Sequence, residues 1–329
     1  MNEEGFTLAV VDPQDLKQAK EEQMDEIIQD IKRSLNLLTG ELENFQEIAK
    51  YIKPEPGEVP EVTGIDVHGL TLPLNGVIGG DHIIYLDFKK RYDLKARIRD
   101  AKAAGQTDVV ARLEESYHKA GIALADVSGH QITDALLAAM LHQAFLTGAI
   151  YEMDLNGHLS EHLFENLNTR FYNSSSVGKF LTMIYGEIWE DGTFLFISAG
   201  HPMPIIFSQK FDRIVDVHED RLTRFLPIGT LPSENDIDRK TNKSVLGFEH
   251  HYEVNKLDLI GSGDIMLLYT DGLQEHHRGE EDYFPNHLET LLREVKDQGA
   301  EEICEAIQKD VLAFGGPEDD ISFVVIKRT

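Results

Sequence analysis

Four turns in the sequence carry aspartates at the ends of apolar runs: Gly79-Gly80-Asp81, Ala125-Asp126-Val127-Ser128-Gly129-His130, Tyr269-Thr270-Asp271-Gly272 and Glu318-Asp319-Asp320-Ile321-Ser322. A carboxylate at the end of a buried strand is costly unless positive charge meets it. No arginine or lysine stands beside any of the four in the sequence. Brought together, such carboxylates repel one another, and a divalent cation resolves the repulsion. Hard oxygen donors suit Mg2+ or Mn2+, and the adjacent glycines leave room for backbone carbonyls and water. Spacing alone leaves a second reading open, because an isolated Asp-Gly is also an ordinary turn.

Other reactive residue types give weaker patterns. His201, within Ser198-Ala199-Gly200-His201-Pro202, reads as the structural end of a strand, and no Gly-x-Ser-x-Gly elbow supports a Ser-His-Asp hydrolase. The pairs His250-His251 and His276-His277 are expected in surface loops rather than on a metal. Neither a Gly-x-Gly-x-x-Gly nor a Walker-type loop is present, which argues against nucleotide-dependent transfer. Cys304 falls on a helical face and is expected to pack inside.

The elements that must position the aspartates follow from periodicity. Asp12-Pro13 is a helix start, and no proline interrupts the chain from there to Ile52. Met24, Ile28, Ile31, Leu35, Leu38, Leu42, Phe45, Ala49 and Ile52 alternate at spacings of four and three, the a/d seam of a coiled coil. Gly40 is its weak point, at a cost of ~1 kcal/mol against alanine. Residues 1–53 are therefore expected to form a dimerising, regulatory helix, the plainer alternative being a long helix packed on its own domain. Pro54-Glu55-Pro56-Gly57 opens a linker, 54–60, and a catalytic region is expected over 61–329.

In that region, strands are expected at Ile83–Phe88, Ala120–Asp126, Leu181–Ile188, Thr193–Ser198, Pro204–Phe207, Ile265–Tyr269 and Ile321–Ile326, with helices near 131–151, 158–173, 285–297 and 300–314. The order points to an α+β fold of antiparallel sheets flanked by helices rather than a βαβ alternation. Lys89 to Lys119 is a helix-forming insert split by Gly105, basic in an otherwise acidic chain. It is either a solvated helical hairpin or a docking surface for an acidic element.

Composition narrows the classes. The chain has 329 residues, 41% of them hydrophobic, with 31 Lys plus Arg against 58 Asp plus Glu, a net charge of −27. That is apolar enough for a sizeable core, and too acidic for nucleic-acid or anionic-membrane binding as the main role. The most apolar stretch, Ala135 to Ile150, is 16 residues long and too short for membrane insertion. The N-terminus lacks a basic start followed by an apolar run, and the lone Cys304 suits a reducing cytoplasm, so a cytoplasmic location is expected.

The ordered set GGD, ADVSGH with the helix ALLAAML after it, FLTMIYGEI, SAGHP, LPIG, GDIMLLYTDGLQE and DDIS resembles the bacterial PPM/PP2C-type serine/threonine phosphatases, in their SpoIIE/RsbU branch, over roughly residues 60–329. The resemblance implies an αββα sandwich, preceded here by the long coiled-coil-like helix, and a centre of two or more Mn2+ or Mg2+ ions. In such enzymes a metal-bound water attacks phosphoserine or phosphothreonine without a phosphoenzyme. By motif, Asp81 and Asp126 match ligands of the two-metal core, with Asp126 bridging and the Val127 carbonyl assisting. Asp271 matches the third carboxylate. In the DDIS turn, Asp319 takes the ligand place and Asp320 that of a neighbouring polar residue, with a slip of one position as the alternative. Two cations about 3.5–4 Å apart activate water and neutralise the phosphoryl oxygens.

The chain departs from the family pattern at three places: Gln131 stands where glycine usually follows DVSGH, His82 where an aromatic residue follows GGD, and the basic insert is long. Eukaryotic relatives carry a histidine two residues beyond the bridging aspartate, a place held here by Ser128; nearby His130 is given no catalytic role. The branch implies a phosphorylated regulatory protein as substrate and partner, typically a STAS-type anti-sigma-factor antagonist. A catalytically weak phosphatase-like binding module is the alternative. A two-metal phosphodiesterase is a third reading, disfavoured by the lack of a histidine-rich metal motif.

Overall fold

The computed structural model describes residues 13–49, 58–74, 79–129, 132–174, 179–215, 217, 221–234, 244, 246–259 and 261–329. The chain divides into two compact units, Met1–Ile48 and Ala49–Thr329.

The first unit is carried by one helix, α1 (Pro13–Ala49), 37 residues long and rich in strong helix formers. It runs through Gly40 without a break. Its seam is open in the single chain: Met24, Ile31, Leu35 and Leu38 are 58, 60, 60 and 66% exposed. Ile52 and the Pro54–Gly57 connector lie outside the described residues.

In the second unit, the described residues form two five-stranded antiparallel sheets and one small hairpin of β10 (His277–Arg278) and β11 (Glu281–Asp282), which a short helix, α7 (Asp271–Gln274), precedes. One sheet has the order β1 (Ile65–Leu72), β12 (Ile321–Arg328), β9 (Ile265–Tyr269), β6 (Ile205–Ser208) and β7 (Arg213–Val215). The other has the order β2 (His82–Leu86), β3 (Lys119–Val127), β4 (Leu181–Trp189), β5 (Thr193–Ala199) and β8 (Asn255–Asp258). Side chains alternate across each strand. Met266, Leu268, Val324 and Ile326 of the first sheet meet Ile83, Ile122, Leu124 and Ile184 of the second in a shared core. Their neighbours Ile265, Leu267, Phe323 and Val325 turn the other way, onto α8 (Asn286–Val295) and α9 (Ala300–Phe314). Ile84, Ala123 and Met183 likewise turn onto α5 (Ile132–Leu155) and α6 (Glu161–Ser174). The result is an α+β fold of two antiparallel sheets flanked by helices, as expected.

The interior strands match the sequence reading closely, whereas β1, β7 and β8 were not anticipated. They are outer strands with partly exposed, polar residues, so no continuous apolar run marks them. The basic insert forms α2 (Phe88–Arg91), α3 (Leu94–Ala103) and α4 (Thr107–Glu115), with Gly105 at φ 72° in the turn. Phe88, Tyr92, Leu94, Ala101 and Leu113 are buried in the core beneath α5. Lys90, Arg91, Arg97 and Lys102 pair with Glu61, Glu58, Asp154 and Glu114, so much of the segment's positive charge is answered inside the chain. Among the described residues, no helix is long and apolar enough to cross a membrane.

Candidate metal centre

Antiparallel pairing brings the aspartate turns together. His82 pairs with Ala125, which sets Asp81, just before β2, beside Asp126 near the end of β3. Tyr269 pairs with Phe323, which sets Asp271, just after β9, beside the Asp319-Asp320 turn before β12. Two ties then join one sheet to the other. Thr270 Oγ1 donates to Asp81 Oδ2 at 2.8 Å and accepts from Ser322 N at 3.0 Å. Asp320 accepts from Leu74 N through Oδ1 at 2.6 Å and from Gly80 N through Oδ2 at 2.7 Å.

The turns approach so closely that glycine is required. A Cβ on Gly80 would sit 2.8 Å from the Val127 carbonyl oxygen, and one on Gly272 only 2.0 Å from the Asp320 carbonyl. Val127 O therefore faces the turn that carries Asp81.

Burial and charge act in the same direction. Asp81 is 4% exposed, Asp126 and Asp271 are half-buried and Asp319 is exposed. Burial, and then the charge of Asp126, holds Asp81 well above the usual carboxylate range, against the opposing hydrogen bond from Thr270. Burial also raises Asp126 to about 7, with Asp271, Asp319 and Asp320 adding to it and a hydrogen bond with Asp81 opposing. Asp271 is raised by burial, then by Asp319 and Glu275. Among the described residues, the charges that act most on these three groups are negative. The structure thus gathers Asp81, Asp126, Asp271 and Asp319 into one electrostatic cluster. Asp320, 4% exposed, is committed to backbone amides beneath it. Among the described residues, no three His, Cys, Asp or Glu side chains stand together as a ready metal-ligating group.

Several neighbours were missed in the sequence. Thr270 and Ser322 are fully buried and link the sheets at Asp81. Thr270 stood within a motif already singled out, and a hydroxyl next to a buried carboxylate was its signal. Lys179 Nζ donates to Ser128 O at 2.9 Å and to the fully buried Asp134 at 2.5 Å, which pins the turn after Asp126. No local pattern announces that pair, because 45 residues separate its members.

The histidines divide differently from expectation. His82 is buried, its Nε2 2.8 Å from His142 Nδ1, and burial together with His142 lowers it to about 3. His201 is buried as a structural residue, bonded through Nδ1 to Thr182 Oγ1 at 2.9 Å and lowered by burial to about 3. His276 is not a surface residue: it is 3% exposed, wedged against Tyr283 and Phe314, with Nε2 donating to Val311 O at 3.1 Å. The aromatic residues around it supply the apolar cover that a loop reading overlooked. His277 is exposed and His251 pairs with Glu165. His130 and Gln131 lie outside the described residues. Cys304 is buried as expected.

The family model described as Stage II sporulation protein E (SpoIIE) matches residues 116–329. Among solved structures, the RsbU and RsbW domains of Rv1364c from Mycobacterium tuberculosis are 19% identical at a TM-score of 0.57, over 82% of this chain and 61% of that one. The PP2C phosphatase domain and a fragment of the regulatory domain of the cell fate determinant SpoIIE from Bacillus subtilis are 16% identical at a TM-score of 0.53, over 81% of this chain and 64% of that one. The SiaA-PP2C domain of Pseudomonas aeruginosa is 15% identical at a TM-score of 0.57, over 90% of this chain and 98% of that one. The chain therefore spans a little over three fifths of the first two. At these identities the likeness is one of fold. No curated protein matches the sequence significantly.

Proposed function

The chain belongs to the SpoIIE family, whose fold is that of the PP2C phosphatases, and we propose that it is a metal-dependent protein serine/threonine phosphatase acting on a phosphorylated regulatory protein. The observation that carries this reading is the convergence of Asp81, Asp126, Asp271 and Asp319 from the ends of both sheets, where among the described residues the charges acting most on the first three are negative. Hard oxygen donors short of positive charge fit Mn2+ or Mg2+. Asp81, Asp126, the Val127 carbonyl, Asp271 and Asp319 would hold the ions. Bound there, they supply water activation near neutral pH and neutralisation of the phosphoryl oxygens.

The protein's own residues orient that site. Thr270 fixes the Asp81 carboxylate from the other sheet, while the Ser322 amide of the neighbouring strand donates to the same hydroxyl and holds it in place. Asp320 holds the Leu74 and Gly80 amides and so fixes the turn before Asp81. Lys179 fixes the turn after Asp126 through Ser128 O.

The same reading includes a STAS-type anti-sigma-factor antagonist as substrate, on the strength of family membership. It includes a homodimer through α1, supported by the exposed seam, and a cytoplasmic setting, supported by the single free thiol. Hydrolysis of p-nitrophenyl phosphate and of a phosphoserine protein is the test. Both are expected to need Mn2+ or Mg2+, to stop in EDTA and to be lost in Asp126→Asn. A protein that binds the phosphoprotein but hydrolyses neither substrate would instead be a phosphatase-like binding module.

A further inference from the structure

On the phosphatase reading above, we propose that a cleft leading away from Asp271 seats the substrate's polypeptide and selects an acidic side chain about five residues from the phosphorylated one. The cleft encloses about 700 Å³ and is lined by Asp271 together with Arg224 and Arg213. It is therefore continuous with the carboxylate cluster. Met203, Ile214 and Phe284 give it an apolar lining suited to peptide side chains.

Its charge is the unusual feature. In a chain of net charge −27, two arginines line one cleft beside an acidic cluster. Arg213 is exposed on β7, the last strand of its sheet. Among the described residues, two acidic groups beside it, one preceding it in the chain and one lining the cleft, have other partners. Glu289 accepts from Ile214 N at 2.8 Å and pairs with Arg293, and Asp212 pairs with Lys296 at 2.6 Å. A guanidinium placed in this way recognises a carboxylate by charge and by its fork of donors.

The strand register sets the spacing. Arg213 pairs with Ser208 of β6, and the adjoining Phe207 pairs with Ile265 of β9. Arg213 is therefore level with the residue before Ile265, seven short of Asp271 and two strands across, which is roughly 25 Å at ~3.3 Å per residue and ~4.8 Å per strand. The arginine side chain covers part of that span, leaving about five residues of extended peptide between the phosphorylated side chain and the one Arg213 meets.

The test uses the full chain with Mn2+ and phosphoserine peptides in which one glutamate is moved from about three to about seven positions away on either side. The expected result is a rise of about fivefold in kcat/KM when the glutamate sits near the middle of that range on one side, expressed in KM rather than kcat. Arg213→Glu should transfer the preference to a lysine at the same offset, a reversal that structural damage does not produce. Arg213→Gln, the milder change, should remove the preference without reversing it. A flat offset profile in the wild type, or equal losses on glutamate and lysine peptides in Arg213→Glu, overturns the cleft assignment. If p-nitrophenyl phosphate is hydrolysed while the profile is flat, the cleft alone is wrong. If the wild type hydrolyses neither it nor any peptide, the phosphatase reading fails and the cleft assignment falls with it.

Discussion

Asp319 and Asp320 are chain neighbours with opposite surroundings. Asp320 is buried, and both its oxygens accept from backbone amides of the segment before β2. Asp319 is exposed, spends one oxygen on the Asp320 amide at 2.8 Å, and faces Asp126 and Asp271 electrostatically. Of the two, Asp319 is thus the carboxylate with an oxygen to spare, and the proposed function gives it the ligand place. Asp320→Asn puts an NH2 group where one of two amide donors needs an acceptor, a loss of about 1–3 kcal/mol. Its melting temperature in EDTA should therefore fall by several degrees. Asp319→Asn should leave that melting temperature nearly unchanged and weaken Mn2+ binding. Thermal unfolding of both variants, with EDTA and with Mn2+, checks this. The opposite pattern would shift the ligand assignment to Asp320. Both aspartates were legible in the DDIS turn, but their division of labour was not. It depends on Leu74 and Gly80, 246 and 240 residues away, and so on tertiary approach rather than local pattern.

At the scale of elements, legibility follows burial. The strands β3, β4, β9 and β12 are interior to their sheets and packed on both faces, so they read as apolar runs. The outer strands β7 and β8 are three and four residues long and mostly polar or half-exposed, and nothing in their composition separates them from loops. The helix α1 presents the reverse case. Its heptad seam was plain in sequence, yet in the single chain Met24, Ile31, Leu35 and Leu38 stay more than half exposed. An apolar stripe of that length is expected to be covered, and a second copy of the same helix offers the matching seam. Leu35→Glu with Leu38→Glu sets carboxylates into that seam, where burial without a partner is prohibitive. Light scattering should then report a monomer where the wild type is a dimer. A double mutant that remains dimeric would place the interface outside α1.

At the scale of the whole second unit, two sheets back to back bring strand ends to one place, and the shared core of Ile83, Leu124, Ile184, Met266, Leu268 and Val324 holds those ends in register. The fold confines four carboxylates there, and among the described residues the charged groups named as acting most on Asp81, Asp126 and Asp271 are themselves acidic. The proposed function requires that divalent cations stabilise this arrangement. Calorimetric and thermal titration of wild type and Asp126→Asn with Mn2+ checks that requirement. The wild type should bind Mn2+, and at concentrations about a hundredfold above Kd its melting temperature should rise by roughly 5–10 °C. Asp126→Asn, relieved of one half-buried like charge, should melt in EDTA no lower than the wild type and gain little from Mn2+. If Mn2+ stabilises Asp126→Asn as much as it does the wild type, or leaves both unchanged, the carboxylate cluster is not a metal centre.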